Sequence, residues 1–143
     1  MRFRPLRSAT LPEATPTAVP ALPESMRAMV FDAPGAADVL REDTIPVPSP
    51  VMSELLIKVV AAGTNPIDAK TRAGRGVAGA ISASPSTLGF DFSGIVVKAP
   101  YESHPLQPGT EVFGMTSFPR SGGSYAEYVV APSLSVARKP PSL

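Results

Sequence analysis

The sequence contains no cysteine and a single histidine, His104. The lack of cysteine excludes disulfides, thiolate nucleophiles and any zinc site built on sulfur. One histidine is too few for a His-rich metal site or a serine–histidine relay. No apolar run approaches the roughly 20 residues that a membrane-spanning helix needs, so the sequence predicts a soluble protein. Its 143 residues suffice for one ordinary domain but not for a two-domain enzyme.

The sequence also has no excess of positive or negative charge: it contains 13 Lys and Arg and 12 Asp and Glu, for a formal net charge of +1. This balance gives no electrostatic reason to expect nucleic acid or an anionic membrane as a partner. Proline and glycine are abundant instead: 18 Pro and 11 Gly make up about a fifth of the chain, against about 12% in average proteins. Since both residues interrupt helices, short strands joined by turns are predicted rather than a helical bundle.

The first 25 residues differ from the rest in composition. They hold five prolines among Ala, Thr and Ser and show no apolar periodicity. We expect residues 1–25 to form a disordered leader, because such a segment cannot bury enough surface to offset the entropy of ordering. The leader lacks the apolar region of a secretory signal, whereas an organelle transit peptide and a translation start at Met26 both remain open. The folded domain is expected over residues 26–143.

Short apolar runs separated by turn residues predict a mainly β (α+β) domain with one or two short helices. The helix begins at Pro66 and ends near Ala73, because Asn65 can cap it, Pro66 suits its first position and Asp68 lies in its positive first turn. The run at 39–47 stops at prolines, which favours an edge strand or an extended arm. The expected strands are residues 26–32, 39–47, 54–62, 92–98, 110–115 and 125–130.

A literal GxGxxG occurs at Gly74, Gly76 and Gly79. A dinucleotide-binding turn needs a buried strand before the glycines and a helix after them. Here the predicted helix precedes them, and residues 80–85 are too short and too close to a proline to form the phosphate-binding helix. We therefore interpret the segment as a flexible loop and place no nucleotide-binding domain within this chain.

Three stretches in order carry a family resemblance: residues 60–68 (VAAGTNPID) with Lys70 and Arg72, residues 88–94 (LGFDFSG), and residues 108–114 (PGTEVFG) followed by 123–128 (GSYAEY). Together they resemble the N-terminal, GroES-like catalytic domain of medium-chain dehydrogenases/reductases. Within that superfamily they are most similar to the zinc-free quinone oxidoreductase and enone reductase branch. The resemblance implies a partly open GroES-like β-barrel. It also implies that the chain stops at the linker to a Rossmann domain, which it lacks.

The departures from the zinc-dependent members of this superfamily concern their metal ligands. Those alcohol dehydrogenases place Cys, His and Glu where this chain has Asn65, Phe90 and Asp91. An amide and a phenyl ring cannot hold zinc as a thiolate and an imidazole do, so we expect no metal and no Lewis-acid mechanism.

The resemblance implies hydride transfer from NADPH to a small conjugated carbonyl, a quinone, enone or alkenal, in a cytoplasmic enzyme. It assigns Asn65 and Lys70 to catalysis, and Thr64, Asn65 and Lys70 to cofactor contacts; NADPH would be bound mainly by the Rossmann domain. The pocket residues are Phe90, Phe118 and Tyr125. The fragment alone is expected to be inactive, and a homodimer of the intact protein is left open.

Plainer roles compete with these assignments. Asn65 is explained by capping alone, and Lys70 fits a solvated surface lysine. Of Phe90 and Phe92, one is expected in the core and the other elsewhere; Tyr128 is expected in the core, Asp91 as a satisfied carboxylate and His104 at the surface. A stand-alone GroES-like structural or binding module is the alternative function, and an adaptor acting through the proline-rich leader is a third.

Overall fold

The computed structural model describes residues 21–81, 84–119 and 122–142. The predicted leader therefore lies almost entirely outside the described residues, and its disorder stays a prediction. Within these ranges, eight strands and one α-helix follow one another, with short 3-10 turns at Ala37–Val39, Ala78–Ala80 and Ser133–Ser135. The elements are β1 Ser25–Phe31, β2 Arg41–Pro46, β3 Glu54–Ala62, α1 Pro66–Arg72, β4 Ser86–Thr87, β5 Asp91–Lys98, β6 Glu111–Met115, β7 Tyr128–Pro132 and β8 Val136–Arg138.

A five-stranded antiparallel sheet in the order β7–β3–β5–β6–β8 carries the main hydrophobic core. Strand β3 lies between β7 and β5, and its residues Leu55 and Ile57 are fully buried. Alternation along the pleat places these side chains on one face, where they meet inward-facing residues of the neighbouring strands. The other core residues of this cluster are Phe92, Val96, Leu106, Val112, Val129 and Ala131.

A second, three-stranded sheet has the order β2–β1–β4. Strand β2 is at its edge, as its run of following prolines predicts, because proline cannot donate to a further strand. The two sheets meet through an isolated bridge between Ala28 and Ala126 and a 2.8 Å hydrogen bond from the Met29 N–H to the Tyr125 carbonyl. The expectation of a mainly β domain with one short α-helix is confirmed.

Helix α1 begins at Pro66, as predicted, and turns a polar face toward the interior. Asp68 and Thr71 are its buried residues, at 5% and 0% exposure. Gly74 follows the helix with a φ of +78°, a left-handed conformation that glycine adopts without strain. The helix is thus anchored by a carboxylate and a hydroxyl rather than by an apolar stripe. No helix within the described ranges is long and apolar enough to cross a membrane.

Four expectations from the sequence are wrong. The last predicted strand begins at Tyr128 rather than Tyr125, because the Tyr125 N–H donates to the Leu88 carbonyl at 3.1 Å instead of joining the five-stranded sheet. Phe90 and Phe92 are both buried, since Phe90 precedes β5 and does not share its alternation.

His104 is the third correction, because its ring is buried and not at the surface. The Leu106 N–H donates to its Nδ1 atom at 3.1 Å, and the ring packs edge-on against Tyr101 with centroids 5.1 Å apart. Tyr128, expected in the core, is only partly buried.

Candidate functional site

The junction of β3 and α1 places Asn65 at the N-cap of the helix, with an extended backbone (φ −126°, ψ 155°). Its N–H donates to the Asp68 carboxylate at 2.8 Å, which is one half of a capping box. Its side-chain Nδ2 atom donates to Asp91 Oδ2 at 2.7 Å. Since a carboxylate only accepts, this bond fixes which way the amide points. Asn65 therefore caps the helix and also joins it to β5.

A glycine makes the approach of Asp91 to this junction feasible. The Gly63 N–H donates to the Asp91 carbonyl at 3.1 Å. A Cβ atom at Gly63 would lie 3.1 Å from the Asp91 Cβ and 3.2 Å from its Oδ2. The end of β3 and the start of β5 can thus lie close enough for the Asn65–Asp91 bond.

Asp68 and Tyr125 form a second polar pair beside the first. The Asp68 carboxylate accepts the Gly89 N–H through Oδ1 at 3.1 Å. Burial raises the pKa of Tyr125 to about 12, and the charge of Asp68, its hydrogen bond with the Tyr125 hydroxyl and the charge of Asp91 act in the same direction. The phenol is therefore held in its protonated form far above neutral pH.

Two aromatic rings lie beside this polar cluster, because Phe90 directly follows Gly89 and packs against Phe118. Phe90 and Phe118 pack edge to face, with ring centroids 5.1 Å apart. Phe90 is 1% exposed, whereas Phe118 is 47% exposed. Of the predicted pocket residues, Phe118 thus offers an accessible ring, Phe90 supports it from the interior, and Tyr125 is partly buried.

Lys70 and Thr64 are exposed and stand apart from the hydrogen-bonded cluster. Two helical positions correspond to about 200° of rotation, so Lys70 lies on the side of α1 away from the buried Asp68. Across the described ranges, none of the ion pairs involves Lys70. The structure thus brings Asn65, Phe90, Phe118 and Tyr125 to one region. It leaves Thr64 exposed before the helix and Lys70 exposed in its last turn.

The carboxylates of Asp68 and Asp91 accept the hydrogen bonds that hold this site together, a role that the sequence did not predict. Asp68 was assigned to the first turn of the helix, and Asp91 to a satisfied turn or inter-strand carboxylate. Asp91 does accept a hydrogen bond, and its donor is the side chain of Asn65. The spacing of Asn65 and Asp68 is the capping-box spacing, a signal that predicts their mutual contact; no local signal predicts the links to Gly89 and Tyr125.

The donors at this site do not fit zinc. Of the three positions at which zinc-dependent alcohol dehydrogenases have ligands, Asn65 turns its amide nitrogen toward Asp91, and Phe90 has no donor atom. Only the Asp91 carboxylate remains as a ligand, and one of its oxygens is already bonded. Across the described ranges, no group of three or more His, Asp or Glu side chains is arranged to hold a metal ion.

The alcohol dehydrogenase GroES-like domain family matches residues 52–141. This chain belongs to that family. The resemblance to the GroES-like domain of medium-chain dehydrogenases/reductases is thereby confirmed. The chain is 38% identical over 133 residues to an NADPH-dependent alkenal/one oxidoreductase, chloroplastic, of Arabidopsis thaliana, covering 89% of the chain and 34% of the relative. It is 37% identical over 128 residues to the 2-methylene-furan-3-one reductase of Solanum lycopersicum, covering 85% of the chain and 33% of that protein.

Among solved structures, the quinone oxidoreductase from Coxiella burnetii superposes with a TM-score of 0.78 at 40% sequence identity. That match covers 83% of this chain and 38% of the other. The GroES-like fold is thus confirmed for a chain that spans about a third of the length of the curated relatives it matches. Because the Arabidopsis relative is named as chloroplastic, a cytoplasmic location stays a prediction.

Proposed function

We propose that this GroES-like chain is the catalytic domain of a zinc-independent, NADPH-dependent oxidoreductase that reduces quinones or conjugated enones and alkenals. The observation that carries the proposal is the 38% identity, over 89% of the chain, to a protein named as an NADPH-dependent alkenal/one oxidoreductase. The bond between the Asn65 amide and Asp91 supports the zinc-free part of the proposal, because it occupies the side chains that zinc would need.

In the proposed reaction, NADPH when bound supplies a hydride to the carbon conjugated with the carbonyl. This chain's residues bind and orient. Thr64, just before α1, offers an exposed hydroxyl, and Lys70, in the last turn of α1, offers an exposed ammonium group. Both suit ribose hydroxyls or phosphate oxygens of the cofactor. Lys70 also provides positive charge near the oxygen on which negative charge develops.

Asn65 has one side-chain amide proton left to donate to the cofactor or the substrate. Its Nδ2 atom already donates one proton to Asp91, so its second amide proton is the one available to a ribose or a substrate carbonyl. The exposed ring of Phe118, supported by Phe90, forms the apolar wall against which a conjugated system packs. Tyr125 stays protonated at neutral pH and contributes an apolar ring face beside Gly89.

The remaining parts of the proposal concern the intact protein. The domain spans residues 26–143, and the larger share of the cofactor site belongs to a Rossmann domain. The chain alone is accordingly inactive, and the active protein acts in the cytoplasm on small carbonyl compounds.

A chimera tests this function directly. Residues 26–143 replace the matched segment of the Arabidopsis alkenal/one oxidoreductase, and NADPH oxidation is followed at 340 nm with an alkenal, an enone and a quinone in turn. We expect reduction of at least one of them by the chimera and none by the 143-residue chain. A chimera that folds and binds NADPH, yet reduces none of the three, would contradict the proposal and favour the stand-alone binding module.

A further inference from the structure

The buried carboxylate of Asp68 accepts hydrogen bonds from separate parts of the chain. Its Oδ2 atom accepts the Asn65 N–H at 2.8 Å, and its Oδ1 atom accepts the Gly89 N–H at 3.1 Å. The charge of Asp68 also acts on the Tyr125 hydroxyl and helps to raise its pKa. These groups belong to the start of α1, the segment before β5 and the segment before β7. Asp68 therefore joins three elements that otherwise belong to different parts of the fold.

The environment of Asp68 explains why a carboxylate stands at this position. A carboxylate that is 5% exposed is costly unless its oxygens are hydrogen-bonded. An ionised carboxylate is only an acceptor, and here both of its oxygens face donors. An amide of the same shape would turn an NH₂ group toward one of these donors. The site thus selects a carboxylate over its closest isostere.

Gly89 shows how closely the segment before β7 packs against the segment before β5. Its φ is +87°, and a Cβ atom there would lie 2.6 Å from Cδ1 of the Tyr125 ring and would collide with Ser124 Oγ. The Gly89 carbonyl also accepts the Ser124 N–H at 3.1 Å. The segment before β7 therefore lies directly against the segment before β5. Asp68 accepts the Gly89 N–H from the second segment, and its charge acts on Tyr125 of the first.

The two backbone groups that Asp68 holds belong to, or directly precede, residues of the proposed site. Asn65 directs its side-chain amide to Asp91, and Gly89 precedes Phe90, whose ring supports Phe118. We propose that Asp68 is a positioning residue: it fixes the start of α1 relative to the segment before β5, so that the Asn65 amide and the Phe90–Phe118 wall keep their mutual geometry. The role in a reaction rests on the proposed function, whereas the link itself is a property of this chain.

Asp68→Asn tests the link in the 143-residue chain, with Asp38→Asn as the matched control, because Asp38 is exposed and lies in the first turn of a 3-10 helix. Tyrosine ionisation is followed by ultraviolet absorbance, and Tyr125→Phe identifies the Tyr125 transition among the three tyrosines. We expect Asp68→Asn to move this transition down by about one pH unit, since a like charge is removed. Amide hydrogen exchange at Asn65 and Gly89 should accelerate about tenfold or more, whereas Asp38→Asn changes neither. An unchanged Tyr125 transition with unchanged exchange would overturn the proposal.

The positioning role is measured in the chimera defined above. We expect Asp68→Asn to lower kcat per folded enzyme about tenfold while the Kd for NADPH changes less than twofold, a split that places the defect in the reacting geometry and not in cofactor binding. If the chimera is active and Asp68→Asn keeps its kcat, the positioning role fails and the proposed function stands. If the unmodified chimera is inactive although the link responds as expected in the chain, the proposed function fails instead.

If Asp68→Asn does not fold, Tyr125→Phe tests the positioning role in its place. We expect this variant to accelerate amide exchange at Gly89 and to lower kcat severalfold. Wild-type values for both would overturn the positioning role.

Discussion

The side-chain amide of Asn65 donates a 2.7 Å hydrogen bond to the carboxylate of Asp91. One bond thereby connects the N-cap of α1 to the first residue of β5, at two of the positions where zinc-dependent relatives have a ligand. The geometry also decides which substitution of Asn65 is informative. Asp at this position retains a capping oxygen, but it would place a second carboxylate against Asp91.

Asn65→Asp should therefore lower the free energy of unfolding by about 1–3 kcal/mol at pH 7, because a part-buried acceptor then faces another acceptor. The loss should shrink as the pH is lowered toward about 4, where carboxyl groups take up protons. Asn65→Ser is the matched variant: it keeps a capping oxygen and loses only the bond to Asp91, at a cost of about 1 kcal/mol. Urea denaturation at both pH values measures the difference. Equal stability of the two variants at pH 7 would argue against the Asn65–Asp91 bond.

Lys70→Ala should change catalysis without changing the fold. Lys70 is exposed, and alanine preserves helix propensity, so the free energy of unfolding should move by less than about 0.5 kcal/mol. If its charge stabilises the transition state, kcat and kcat/KM of the chimera should fall together by about tenfold to a thousandfold. Lys98→Ala, at the exposed end of β5, is the control and should keep wild-type kinetics. Wild-type kinetics in Lys70→Ala would leave this lysine as a surface residue.

The elements that the sequence predicts well are those with local signals. Strand β3 has the predicted bounds of Glu54–Ala62, because a β-branched apolar run is bounded by Gly63. Helix α1 begins at Pro66 as predicted, because capping, the first-turn proline and the first-turn acid agree within four residues. Local consistency of this kind leaves few alternatives for a short segment.

The polar cluster could not be predicted, because it depends on contacts between distant residues. The Asp68–Gly89 bond joins positions 21 residues apart, and Tyr125 joins them from a segment that composition assigns to a strand. The burial of His104 has the same origin: its polar neighbours Ser103 and Gln107 indicate a surface loop, whereas the fold turns the ring inward onto Tyr101. A polar sequence shows which groups need partners, but only the tertiary fold determines which partners they find.

Gly89→Ala should destabilise the domain more than Gly109→Ala, although the two glycines have nearly the same φ, +87° and +88°. At Gly109 a Cβ atom meets open space, so the cost is the left-handed backbone alone, about 1–2 kcal/mol. At Gly89 the Cβ atom also collides with Ser124 and the Tyr125 ring, which should add about 1–3 kcal/mol. Urea unfolding of both variants gives the two free energies directly. Equal losses would mean that Tyr125 does not pack against Gly89 in solution.

The ion pair between Arg27 and Glu127 joins β1 to the segment before β7, and its contribution to stability should be lost at acid pH. The Arg27 N–H donates to Glu127 Oε2 at 2.9 Å, and the guanidinium donates to Oε1 at 3.0 Å. The backbone hydrogen bond from Arg27, followed by the bond from its side chain, lowers the pKa of Glu127 below its ordinary 4.5. A lowered pKa contributes stability that is present above 4.5 and disappears as the pH falls through the folded-state value.

Glu127→Gln should therefore have a lower Tm than the wild type at pH 6 to 7, and the gap should close as the pH is lowered toward about 2, where Glu127 is protonated in both states. Salt should also narrow the gap at neutral pH, because both side chains are exposed. Glu102→Gln, an exposed glutamate in the loop between β5 and β6, is the control and should track the wild type throughout. A gap between wild type and Glu127→Gln that stays constant from pH 7 to pH 2 would show that the charge of Glu127 does not hold β1 in place.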